Sequence, residues 1–139
     1  MGVKRSILTD ARGMPIGLAI GGANTHDQKL FHATLDSVPV KRPKRKGRRR
    51  LHLCCDQGYD CELLRTHARR RGYHPHIRSR NEEQEEIRKR GKPARRWVVE
   101  RIASWLNRYR RILVRWEKKA ANYQALLHLV FAITLWRNY

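Results

Sequence analysis

A chain of 139 residues with 32 Lys and Arg against 12 Asp and Glu carries a formal net charge of +20. The length suits one domain and is too short for two separate cores, and such a charge draws the chain to a polyanion, with nucleic acid the default partner. Three cysteines, Cys54, Cys55 and Cys61, are odd in number and match no zinc spacing. That argues against a disulfide scaffold or a zinc finger and makes buried thiols in a reducing cytoplasm the expectation. Thr9, Asp10 and Arg12 break the apolar stretch after Arg5, so no cleavable signal peptide is visible. Residues 125–136 form the most apolar tract and are shorter than the ~20 residues that span a bilayer. The chain is therefore expected in the cytoplasm, without a membrane partner.

Along the chain, residues 6–9 and 14–20 predict two strands joined by a turn containing Asp10 and Gly13, a β-hairpin. Leu30, Phe31, Leu35 and Val38 then predict a short helix with Asn24 or Thr25 as its N-cap. Asp27 falls in its first turn, where an acid stabilises the helix dipole, although a metal-ligand role is the alternative. Residues 41–50 hold eight basic residues in ten, have no apolar periodicity, and predict an exposed loop, either a phosphate-contacting arm or a solvated connector.

Residues 51–55 predict a buried strand that ends at Asp56. Residues 61–71 predict a helix with Leu63, Leu64, His67 and Ala68 on one side and Gly72 just past its end. Residues 73–77 predict another short strand, carrying His74 and His76, which lack a cysteine partner at metal spacing. Between Arg78 and Lys92 both charge signs dominate and predict a mobile, partly helical segment.

The clearest periodicity runs through Val98, Ile102, Trp105, Leu106, Tyr109, Ile112, Leu113 and Trp116, predicting one long amphipathic helix. Glu100 lies on a neighbouring stripe with Arg96, Ser104, Asn107 and Arg111. A second helix over residues 123–136 presents Leu126, Leu127, Val130, Phe131 and Thr134 and folds back on the first. The aromatic residues of these helices read as core, with a base-stacking platform as the alternative. Asp56 at a strand tip and Glu100, 100 − 56 = 44 residues further on, look like two thirds of a carboxylate set for two-metal phosphoryl transfer.

The chain resembles the C-terminal part of DDE transposases of bacterial insertion sequences, the group with an IS4-like or IS5-like catalytic domain. The resemblance rests on the hairpin followed by Gly21-Gly22-Ala23-Asn24-Thr25-His26-Asp27 and on the turn Asp56-Gln57-Gly58-Tyr59-Asp60. Arg71-Gly72-Tyr73, Arg96-Trp97-Val98-Val99-Glu100-Arg101, Trp116-Glu117-Lys118-Lys119 and Ala121-Asn122-Tyr123 continue it nearly to the end. It implies an α/β chain with an incomplete ribonuclease H-like fold: a mixed sheet with flanking helices and a C-terminal helical hairpin.

Asp56 matches the family's second acid and Glu100 its third, within a signature Tyr-x2-Arg-x3-Glu-x6-Lys in which Arg96 holds the arginine place. Pro93 stands at the tyrosine place and Asn107 at the lysine place, with Arg108 adjacent. Residues 1–139 would thus be a DDE catalytic domain lacking the N-terminal strand with the first acid and the DNA-binding region. Asp10, in a hairpin turn, is not expected to replace that acid.

By resemblance, Asp56 and Glu100 are the catalytic and metal-binding residues, for Mg2+ or Mn2+. Arg96, Asn107, Arg108, Arg111, Lys118 and Lys119 contact DNA, namely insertion-sequence ends and target. The implied activity is DNA strand cleavage and transfer, with the isolated chain inactive. The alternative is a non-enzymatic basic DNA-binding protein, or a partner or inhibitor of a transposase. A second copy, or the N-terminal half of a transposase, is the protein partner this reading allows, and a nucleoid-associated location in the cytoplasm follows. For Glu100 the competing role is an intrahelical ion pair with Arg96 or Arg101.

Overall fold

A computed structural model describes residues 2–39, 51–77 and 97–138 of the chain. The architecture is mixed α/β: two two-stranded sheets and five α-helices among the described residues. The expected basic loop at residues 41–50 and the charged segment at residues 78–92 lie outside them.

Strand β1 (Val3–Thr9) pairs antiparallel with β2 (Pro15–Gly22), pairing Val3 with Gly22 and Leu8 with Gly17. The turn between them is built by Asp10, whose Oδ1 accepts the backbone N–H groups of Arg12 and Met14, both at 2.8 Å. Gly13 has φ of 88°, a left-handed conformation that only glycine adopts readily. Asp10 is thus a turn-forming carboxylate, as its place in the hairpin predicts.

Helix α1 (Asp27–Asp36) follows, with His26 rather than Asn24 or Thr25 as N-cap and no side-chain capping bond. Thr25 is used elsewhere: its N–H donates to the Gly22 carbonyl, and its hydroxyl packs where a Cβ on Gly21 would stand. Leu30, Phe31 and Leu35 are buried as expected.

Strand β3 (Leu51–Cys55) is joined by α2 (Glu62–Arg70) to β4 (Tyr73–Ile77), and β3 and β4 pair in parallel, as a β-α-β unit requires. Gly72, at φ of 78°, ends α2 and donates to the Arg69 carbonyl. The expectation of a buried β3 needs correction. Only Leu53 is buried: His52 and Cys54 are exposed because their face of this pair carries no described helix, and Leu51, on the Leu53 side but at the start of the strand, is 38% exposed. The cysteines follow suit: Cys54 is exposed, and Cys55 and Cys61 are half-buried. On α2, Leu64 and Ala68 are buried but Leu63 is 71% exposed.

The single long helix expected from Val98 to Trp116 is not what forms. Helix α3 (Trp97–Asn107) stops, Tyr109 is extended, and a four-residue helix α4 (Arg110–Leu113) starts on a new axis. The break turns Ile112 into the core and leaves Leu113 at 57% and Trp116 at 75% exposure. No proline or glycine dictates it. The core does, since Ile112 packs among the residues of α5 (Ala120–Asn138) and its carbonyl accepts the buried Tyr123 hydroxyl at 3.0 Å. Helix α5 shares a core with Ile102 and Leu106 of α3, and it is longer at both ends than residues 123–136.

Two cores result. Leu18 of β2 packs with Ile102, Leu106, Ile112, Tyr123, Leu127, Val130 and Phe131. The second joins Phe31 and Leu35 of α1 to Leu53 of β3 and to Leu64 and Ala68 of α2. Leu127, fully buried, should lose about 2–5 kcal/mol of stability as Leu127→Ala in denaturant melts, whereas Leu63→Ala should stay within about 0.5 kcal/mol. Burial, with the Cys54 charge adding to it, pushes the Cys55 thiol up to about 12. At pH 8 Cys55 therefore stays protonated, and peptide mapping after brief iodoacetamide treatment should find exposed Cys54 labelled well before Cys55.

Candidate functional site

Asp56 is exposed and sits directly after β3. Its carbonyl accepts the Tyr59 N–H at 3.0 Å, closing a 3-10 turn over Gln57–Tyr59. This turn is held against the start of α1. The Gln28 amide lies 3.4 Å from the Gly58 carbonyl, and Asp27 Oδ2 lies 3.8 Å from the place a Gly58 Cβ would occupy. Asp27 also pairs with Lys4 at 3.3 Å.

Tyr59, between these groups, has its phenol pushed up chiefly by burial, with the Asp27, Cys55 and Asp56 charges adding to it and a hydrogen bond with Ser6 opposing. Asp27 therefore stands beside the Asp56 turn. Its place in the sequence favours a helix-dipole role, and no spacing signal links it to Asp56 because the approach is made through tertiary packing. Asp27 also stands in the first turn of α1, where the helix dipole favours an acid.

Glu100 is exposed in the first turn of α3, where a carboxylate is favoured by the helix dipole. Its helix is positioned by the hairpin turn. A Cβ on Gly13 would meet Arg101 Cδ at 3.3 Å and the Val98 carbonyl at 3.4 Å, so α3 lies close over that turn. Arg101 donates to the Arg12 carbonyl at 3.2 Å and places its guanidinium 5.8 Å from the Trp105 ring centroid. Arg101 is thus tied to the hairpin and to Trp105.

Oxygen donors such as these suit a hard divalent cation. Among the described residues, however, no three His, Cys, Asp or Glu side chains are placed to hold a metal ion. Asp56 and Glu100 therefore do not by themselves build the site that two-metal chemistry needs.

Of the predicted DNA-contacting residues, Arg96 lies outside the described part. Asn107, Arg108, Arg111, Lys118 and Lys119 are all exposed, at the end of α3, on α4 and in the link to α5. Breaking the helix at residue 108 places Arg108, Arg110 and Arg111 on a corner rather than along one straight stripe. Arg111 Nε is 3.9 Å from Glu117 Oε1, a carboxylate that is largely buried. The Arg115 guanidinium braces the link by donating to the carbonyls of Glu117 and Lys118 at 2.8 and 3.0 Å. Among the described residues no helix is long and apolar enough to cross a membrane.

Residues 1–135 match the family model described as Transposase DDE domain. The chain is 35% identical over 139 residues to a putative transposase for insertion sequence element IS402 from Burkholderia cepacia, a match covering 99% of this chain. It spans 64% of that relative's length. No solved structure matches the chain. A family match over nearly every residue, with Asp56 at a strand tip and Glu100 on a helix beyond it, assigns this chain to the transposase DDE domain family.

Proposed function

We propose that this chain is the DNA-contacting, carboxylate-bearing portion of an insertion-sequence transposase of the IS4-like or IS5-like group. Its fold would be an incomplete ribonuclease H-like domain. The observation that carries this reading is the family match joined to the placement of its two acids, one at the C-terminal end of a parallel strand and one on a helix docked over the hairpin. The sheet arrangement supports it. β1 is paired only with β2 and β3 only with β4 among the described residues, so each keeps an edge on which a further strand could pair. In the proposed complete domain that strand carries the first acid.

Asp56 and Glu100 would hold Mg2+ or Mn2+ together with that acid. Such ions, when bound, polarise the scissile phosphate and activate an attacking oxygen. Arg96, Arg108, Arg111, Lys118 and Lys119 would neutralise DNA phosphates, with Asn107 contacting the backbone as a neutral donor. The +20 charge is the driving force for that contact.

By the resemblance, the isolated chain is proposed to bind DNA without cutting it. A second reading is a DNA-binding partner or inhibitor of a complete transposase, acting in the cytoplasm at the nucleoid, which the charge of +20 would serve equally. Its protein partner would be a second copy or an N-terminal transposase half. If the chain lowers strand transfer by an active transposase carrying the same domain, the second reading is favoured. If it restores activity to a transposase N-terminal half, the first is.

DNA affinity should fall steeply with salt. Arg108→Ala and a Lys118→Ala/Lys119→Ala pair should each flatten the salt dependence, by about 1 in log–log slope for every phosphate no longer neutralised. Asp56→Ala and Glu100→Ala should leave DNA affinity intact in gel-shift titrations. Mg2+- or Mn2+-dependent nicking of plasmid by the purified chain, abolished by Asp56→Ala, would overturn the assignment of the isolated chain as inactive.

A further inference from the structure

The parallel pairing of β3 with β4 places four donor side chains on one face. Residues alternate between faces along a strand, so Leu53, buried against α1 and α2, leaves His52 and Cys54 on the opposite side. The register pairs His52 with His74 and Cys54 with His76, giving a His-x-Cys strand beside a His-x-His strand.

The rings of the three histidines form a stack. Centroids are 4.9 Å apart for His52 and His76, 4.9 Å for His74 and His76, and 5.6 Å for His52 and His74, with interplanar angles of 29°, 9° and 19°. His52 Nδ1 lies 2.6 Å from His76 Nε2, with one ring acting as donor and the other as acceptor. Helix packing does not explain this cluster. His52, His74 and Cys54 are exposed, and none of the four belongs to either hydrophobic core.

The geometry points to a two-histidine chelate, His52 and His76, for a borderline-soft divalent transition-metal ion such as Zn2+, Ni2+ or Cu2+. Imidazole nitrogens suit these ions, whereas Mg2+ prefers oxygen donors. In a tetrahedral zinc site with bonds of about 2.0–2.1 Å, two nitrogens stand roughly 3.3 Å apart. Opening the His52–His76 approach by several tenths of an ångström reaches that separation, which an exposed His52 ring can do by a small rotation. The ring that donates the shared proton must take its other tautomer before both nitrogens can bind: that proton leaves for solvent, and solvent protonates the ring's far nitrogen, so the exchange releases no net proton. The face as it stands supplies two ligands rather than three, in keeping with the lack of any three-residue metal cluster among the described residues. Solvent completes the coordination.

This chelate would span the two strands, and β3 is the strand that ends at Asp56. An ion held there ties β4 to β3 through side chains as well as through the backbone ladder. It also stabilises the folded chain, since the ligands are brought together only in that state. The site is chemically distinct from the carboxylates and should not compete for Mg2+.

The test is Zn2+ titration of the full chain at pH 7.5 by calorimetry, with thermal melts alongside. Saturable binding near one ion per chain is expected, with a rise in Tm. His52→Ala and His76→Ala should each weaken binding by more than about tenfold, since even outer-shell partners of metal ligands change affinity by 10–100-fold. The metal-free melt of His52→Ala should match the wild type, because that exposed position lies outside the cores. A control, His128→Ala on the outer face of α5, should bind Zn2+ as the wild type does, and a large excess of Mg2+ should not displace it. Absence of saturable Zn2+ binding would overturn the proposal. So would binding that survives both histidine substitutions, or that is lost with His128→Ala.

Discussion

Helix α1 is the element on which the rest of the described structure depends, because it packs on strands of both sheets. Among the described residues the two sheets are not hydrogen-bonded to each other. One face of α1 lies against the hairpin so closely that a Cβ on Gly17 would stand 2.9 Å from the Thr34 carbonyl. The Ser37 hydroxyl at the end of α1 accepts the Leu18 N–H at 2.7 Å. Its other face supplies Phe31 and Leu35 to the core under β3 and α2. A hydroxyl relay crosses the same junction, with Thr34 Oγ1 2.8 Å from Ser6 Oγ, and Ser6 Oγ 3.4 Å from the Tyr59 hydroxyl. Tyr59 belongs to the turn that follows Asp56. The position of that acid relative to the hairpin is thus set through α1 and not through a continuous sheet.

Glu100 is placed by a separate route. Glu100 rides on α3, whose start is fixed by the Gly13 turn and by Arg101 reaching the Arg12 carbonyl. Its other end is fixed by Ile102 and Leu106 packing on Leu18 and α5. Both routes meet at the β1–β2 hairpin, which α1 grips on one side while its turn and Leu18 receive α3. A distortion of the hairpin would therefore move both acids, although neither lies on it.

Much of this is legible in the residues alone. β3 and β4 stand where alternation puts them, α2 lies within one residue of its expected ends, and the hairpin strands run up to three residues beyond theirs. Asp10 as a turn residue and Gly72 as a helix stop are readable because each acts on residues close in sequence. The expectations that fail all concern faces and long-range choices. Leu63 carries the right helical phase for burial but lies outside the arc that α1 and β4 cover. Cys54 and His52 sit on a face that no described helix covers. The 3.6-residue rhythm from Val98 to Trp116 is unbroken in sequence, yet the helix breaks at residue 108 because Ile112 gains more by meeting Tyr123 and α5 than Leu113 and Trp116 would by continuing the stripe.

The sequence by itself determined a large excess of positive charge that no folding can remove, and the family, through motifs whose order and spacing survive without coordinates. It also determined which acids stand where strands end and helices begin, since those positions follow from local patterning. Tertiary structure alone decided that Asp27 comes to lie beside the Asp56 turn and that the basic residues after Asn107 form a corner. It also decided that three histidines from separate strands stack on one face. Each depends on residues far apart in the chain meeting through packing and strand register, and none is encoded in a local spacing.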